Sequence, residues 1–156
     1  MAPKDIQTCV IFRSTRFATN WPDQAAGVAT MNELGMDCAQ FIASHLRGHD
    51  SIDDVGDIEP DDWGWIVDLT IHGEAYELRV LGAMGPQPIY WWTVQLIPLG
   101  FLSQLFSRNR KHCNELVQIL NLLLTQTDGI TDVTWMTTKE YMSLPDLRTL
   151  ESRRNS

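Results

Sequence analysis

The sequence predicts a single α+β domain, a two-layer sandwich in which a mainly antiparallel sheet carries two helices on one face, in the order β-α-β-β-β-α-β. Three observations lead there. Residues 63–80 alternate apolar and polar side chains about a two-residue turn, the pattern of a half-buried hairpin. Residues 31–46 and 108–126 each repeat apolar side chains at intervals of three and four, the pattern of an amphipathic helix. A length of 156 residues, 44% hydrophobic and 21% charged, suits one core of ordinary globular composition. The domain is expected over residues 1–145. A flexible polar tail, ending Arg153-Arg154-Asn155-Ser156, is expected at 146–156.

Thr8-Cys9-Val10-Ile11-Phe12 is a run of β-formers bounded by polar residues and predicts the first strand. Residues 14–30 are expected to be a loop. A helix follows with Asn32 as its N-cap and Met31, Leu34, Cys38, Phe41, Ile42, His45 and Leu46 on one face. Gly48 ends it, where a left-handed residue is wanted. Residues 50–62 hold Asp50, Asp53, Asp54, Asp57, Glu59, Asp61 and Asp62 without a Lys or Arg, and with Gly56 and Pro60 among them. Such a segment predicts a solvated connector.

In the hairpin, Trp63, Trp65, Val67, Leu69 and Ile71 alternate before His72-Gly73, the predicted reversal. Setting Ile71 opposite Glu74 places Leu69 against Tyr76, Val67 against Leu78 and Trp65 against Val80, all on one face. The other face carries Ile66, Asp68, Thr70, Ala75, Glu77 and Arg79, with Arg79 able to relieve the opposition of Asp68 and Glu77. Gly85-Pro86-Gln87-Pro88 precedes a strand over 89–97, with Tyr90, Trp92, Val94 and Leu96 on its apolar face and Trp91, Thr93 and Gln95 on the other. Residues 99–106 are oily. A helix from about Arg108 to Gln126 buries Cys113, Leu116, Val117, Leu120, Leu123 and Leu124. Asp128-Gly129 stops it, and Ile130 to Met136 predicts a last strand. Thr137 and Glu140 have capping-box spacing, which predicts a helical turn at 139–142.

Twelve basic residues stand against twenty acidic ones, a net charge of −8 and a pI of about 4.8. That field repels phosphates and anionic headgroups, so neither nucleic acid nor a membrane surface is an expected partner. The first residues lack the basic-then-apolar order of a secretory signal, and no apolar run is long enough to span a bilayer. Cys9, Cys38 and Cys113 are far apart with no C-x-x-C pair, so reduced, core-packed thiols in the cytoplasm are expected.

No nucleotide-binding or nucleophile motif occurs, so no catalytic residue and no cofactor is assigned. His45 and His49 have the four-residue spacing of a helical metal pair, beside Asp50 and Asp53. Gly48 separates their faces and no third ligand follows at a recognisable offset, so no metal site is assigned. The acidic run lacks the order of an EF-hand loop. It suits docking into the basic cleft of a partner, with charge steering the encounter. Arg108-Asn109-Arg110-Lys111-His112 opens the second helix, where the helix dipole favours anions, though exposed first-turn residues are the commoner case and no anion site is assigned. Trp91 and Ile66 fall on the face that neither helix covers. Trp91 is then either an interface anchor or covered by residues 14–30 or 99–106.

Three segments together resemble a group of small uncharacterised bacterial proteins: Leu34-Gly35-Met36-Asp37-Cys38-Ala39, Pro60-Asp61-Asp62-Trp63-Gly64-Trp65 and Val133-Thr134-Trp135. The resemblance spans roughly residues 30 to 140, with Phe41 where the group has Trp. It implies an α+β fold and supplies no catalytic residues. Gly64 between two tryptophans allows another backbone or ring to approach closely.

The leading expectation is a non-enzymatic protein-binding domain, in its most specific form an immunity or inhibitor protein against a basic partner. Its contact residues are Asp53, Asp54, Asp57, Glu59, Asp61, Asp62, Ile66 and Trp91. The alternatives are a small-molecule binder or enzyme with a pocket between the uncovered sheet face and 99–106, and the subunit of a structural homodimer.

Overall fold

The computed structural model describes residues 6–17, 35–61, 64–82, 91–99 and 112–144. Along these the chain forms β1 (Cys9–Ser14), α1 (Met36–Arg47), β2 (Ile52–Asp61), β3 (Gly64–Ile71), β4 (Glu74–Gly82), β5 (Trp91–Pro98), α2 (Cys113–Gln126), β6 (Ile130–Met136) and α3 (Thr138–Met142). The strands make one sheet in the order β2-β3-β4-β5-β1-β6, with every pair antiparallel. The predicted α+β layout with two helices against an antiparallel sheet is present, enlarged by a sixth strand and a third, short helix.

The hairpin has the predicted register from Ile71↔Glu74 to Trp65↔Val80. His72 at φ 47° and Gly73 at φ 80° give the positive-φ pair that a two-residue turn between twisted strands requires. The alternation does the rest, because a slip of one residue would send Val67, Leu69, Tyr76 and Leu78 to the wrong face.

Helices α1 and α2 cover the inner face, α1 lying over β2 and β3 and α2 against β6. Ile42 and Leu46 of α1, Leu116, Leu120 and Leu124 of α2, and Trp92, Tyr76, Phe12 and Leu78 of the sheet form one buried core. Phe17 joins it, its ring 5.6 Å from both Phe41 and Trp92. Asn121 Oδ1 accepts from Trp135 Nε1 at 2.9 Å and ties α2 to β6.

Helix α1 starts later than the apolar spacing suggests. Its N-cap is Gly35 at φ 98°, whereas Asn32 lies outside the described residues. A side chain at Gly35 would meet Trp92 Cζ3 at 3.3 Å and Trp65 Cδ1 at 3.4 Å, so the chain passes the two rings at glycine distance. Gly48 does end α1, but at φ −86°, with its N–H bonded back to the His45 carbonyl rather than through a left-handed turn. At Gly64 a Cβ would overlap the carbonyl oxygen of Val80 on β4, which makes this glycine a condition of β3–β4 pairing. Leu34, Asp62, Trp63, Tyr90, Arg108 and the tail at 146–156 lie outside the described residues.

The largest departure concerns the acidic segment. It is no connector: ten of its residues form β2, an edge strand paired with β3. Two bulges, at Asp53 and at Gly56-Asp57, set Ile52, Val55 and Ile58 three apart while still aiming them at the core. Charged side chains, a proline and bulges are also what keeps an exposed edge from pairing with other chains.

Candidate functional site

The face of the sheet away from α1 and α2 has two halves. On β1, β5 and β6, register puts Cys9, Ile11, Trp91 and Met136 together, and these form a second small core. Tyr141 and Leu144 pack on it from α3 and the residue pair beyond. The cover is held by the predicted capping box: Glu140 N donates to Thr137 Oγ1 at 3.1 Å, and Thr137 N to Glu140 Oε1 at 3.2 Å. Trp91 is consequently 8% exposed, with the Arg13 guanidinium 5.8 Å from its ring. It is therefore not an exposed anchor; among the described residues Tyr141 and Leu144 pack on its cluster, and residues 18–30 and 100–106, the covers expected from the sequence, lie outside those described.

On β2, β3 and β4 the same face is acidic. The pleat places Asp54 beside Thr70, Glu59 beside Ile66 and Asp68 beside Glu77, with Asp57 in the bulge opposite Asp68. Asp54, Asp57, Glu59 and Asp68 are exposed, and Asp61 and Ile66 half-buried. Ile66 lies between Glu59 on β2 and Arg79 on β4, an apolar spot within the acids. Arg79 is the one basic side chain of these three strands among the described residues, and its Nε meets Glu77 Oε1 at 2.6 Å. Partial burial, then the charges of Glu77 and Glu59, hold the Asp68 carboxyl above its ordinary range. Of the predicted contact residues, Asp54, Asp57, Glu59, Asp61 and Ile66 thus share one surface, which Asp68 and Glu77 extend. Asp53 departs: its Oδ2 accepts from Gly73 N at 2.8 Å and braces the hairpin turn.

A second cluster lies at that turn. His72, on the turn, and His112 and Glu115, at the start of α2, bring one ligand atom each to within 4.8 Å of one another. His72 Nε2 is 3.1 Å from Glu115 Oε2, which is 3.5 Å from His112 Nδ1, and the two imidazole centroids are 4.4 Å apart. Ser51 also hydrogen-bonds Glu115, and these partners, Ser51 first and His72 next, hold its carboxyl below the usual range. The spacing of His45 and His49 led elsewhere. Their rings are 6.5 Å apart, and His49 Nδ1 accepts from Ser51 N at 3.1 Å. The local signal for the real cluster is a histidine occupying a turn position that favours asparagine.

The three cysteines are buried and form no disulfide, and burial pushes the thiols of Cys9 and Cys38 up, away from the thiolate form that a nucleophile needs. A cleft of about 440 Å³ is lined by Arg13, Ser14, Thr15, Gly129 and Thr131, and another of about 400 Å³ by Arg16, Phe17, Asp37, Gln40, Phe41 and Ser44. Neither lining carries a histidine or a carboxylate pair. The pocket expected against 99–106 falls on residues outside those described, apart from Leu99. Among the described residues no helix is long and apolar enough to cross a membrane.

Compared with known proteins, the chain matches no family model, no curated protein and no solved structure.

Proposed function

We propose that this chain is a protein-binding domain whose acidic sheet face, built by β2, β3 and β4, docks onto a basic partner. The observation that carries this reading is the crowding of Glu59, Asp68 and Glu77 on three adjacent strands around Ile66. Like charges placed side by side on a sheet oppose folding. A surface that needed only solubility would mix the signs. Concentrating one sign steers an oppositely charged partner and lets its cations relieve the repulsion on contact. Ile66 supplies an apolar contact amid the charges. An inhibitor that occupies a basic cleft is the most specific form of this reading, with the cytoplasm its setting.

The test pairs two variants that each remove two charges. Glu59→Gln/Asp68→Asn alters the face, whereas Asp50→Asn/Asp128→Asn alters exposed acids elsewhere. Captured from a lysate of the source organism at low salt, a basic protein should bind the wild type and the second variant and be released as salt rises from about 0.05 to about 0.5 M. The purified pair should then re-form without other components. Equal capture by Glu59→Gln/Asp68→Asn would sink the proposal.

A further inference from the structure

We infer that His72, His112 and Glu115 form a three-ligand site for a divalent first-row transition metal, zinc foremost. Two imidazoles and a carboxylate are a recurrent zinc donor set, leaving the fourth position of a tetrahedron for water or an incoming ligand. The distances suit it. Ligand atoms around a four-coordinate zinc, at bond lengths of about 2.0 to 2.1 Å, lie about 3.3 Å from one another. Glu115 Oε2 stands 3.1 Å from His72 Nε2 and 3.5 Å from His112 Nδ1. The two histidine nitrogens lie no more than 4.8 Å apart, so a modest rotation about side-chain torsions closes the third edge.

Three further features point the same way. His72 holds φ 47°, in the left-handed region where Asn, Asp and His are the side chains most often found, so the turn itself presents the imidazole to Glu115. The turn is braced from β2, where Asp53 Oδ2 accepts from Gly73 N at 2.8 Å. Ser51 hydrogen-bonds the Glu115 carboxylate from outside the triad, as the groups behind metal ligands commonly do. The ligands come from two elements joined by nothing local: a turn and a helix start 43 residues apart from His72 to Glu115. A bound ion would therefore fasten α2 to the β3–β4 turn. The site lies on the hairpin and helix α2, and does not depend on the acidic face or its partner.

An ordinary imidazole–carboxylate ion pair is the competing account, and it makes no use of metal. The experiment uses the full chain without an affinity tag, with Zn²⁺ and Co²⁺ as probes, read by calorimetric titration, by melting temperature and by the visible spectrum of the cobalt form. His72→Asn removes the imidazole while suiting the turn, and Glu115→Gln removes the charge while keeping a helix former. One equivalent of Zn²⁺ should bind, raise the melting temperature when in excess, and give way to cobalt with tetrahedral absorption. Each of the two variants should weaken binding by more than about 10-fold, and Ser51→Ala by about 10-fold. His45→Asn/His49→Asn should bind as the wild type does. Absence of stoichiometric binding to the wild type, or undiminished binding by His72→Asn, would overturn the site.

Discussion

The outer face of the sheet is one surface treated in two ways. Over β1, β5 and β6 it carries Cys9, Ile11, Trp91 and Met136, and a capped turn folds Tyr141 and Leu144 across them. Over β2, β3 and β4 it carries Glu59, Asp68 and Glu77 with a single arginine, and Asp68 feels the charge of both neighbours. Apolar side chains gain by leaving water, so the first half draws a cover from its own chain. Acids of one sign lose by being brought together, so the second half costs stability, and in the proposed function a partner's cations would relieve that cost. The contrast separates residues kept for stability from residues kept at some expense to it.

Breaking the sealed half should have the largest effect. Trp91→Ala should cost about 3 kcal/mol in denaturant unfolding, because it empties the centre of the small core, and it should expose Met136. Gly64→Ala reaches the acidic half through its backbone. The new methyl would overlap the Val80 carbonyl, so β3 must shift from β4 at a cost of about 2 kcal/mol, with accelerated amide exchange along the hairpin. Thr137→Ala removes the capping box and should cost about 1 kcal/mol, loosening the cover over Trp91 before the main core melts.

The smallest expected effect has the opposite sign. Asp68→Asn relieves a like-charge contact on an exposed strand position and should stabilise the fold by about 0.5 kcal/mol at neutral pH. Its pH dependence follows from the raised carboxyl. The folded chain holds that proton more tightly than the unfolded one, so Asp68 lowers stability as pH rises through its raised range. The penalty is fully present at neutral pH and vanishes below the ordinary value of 3.8. The advantage of Asp68→Asn should therefore disappear in unfolding curves taken on the acid side of that value.

These contrasts also explain what the sequence could disclose. The hairpin register was legible because strict alternation and a two-residue turn leave one pairing that buries every apolar side chain. The strand β2 was not, because its two bulges space Ile52, Val55 and Ile58 by three, a rhythm that hides a strand among acids, Gly56 and Pro60. The turn at Thr137 and Glu140 was legible as a local motif. Its destination over Trp91 was not, since that contact joins segments distant in the chain. Much of the acidic surface was named by composition alone, but Asp68 and Glu77 joined it only once β2 lay beside β3. His72 and Glu115 met for the same reason, through strand pairing and helix packing that no local spacing encodes.

Glu59→Gln/Asp68→Asn tests the central claim most directly when stability and salt-sensitive capture are measured on the same preparation. The account predicts that this variant unfolds at higher denaturant than the wild type and no longer retains the basic partner. A variant that is stabilised and still captures that partner as the wild type does would contradict it.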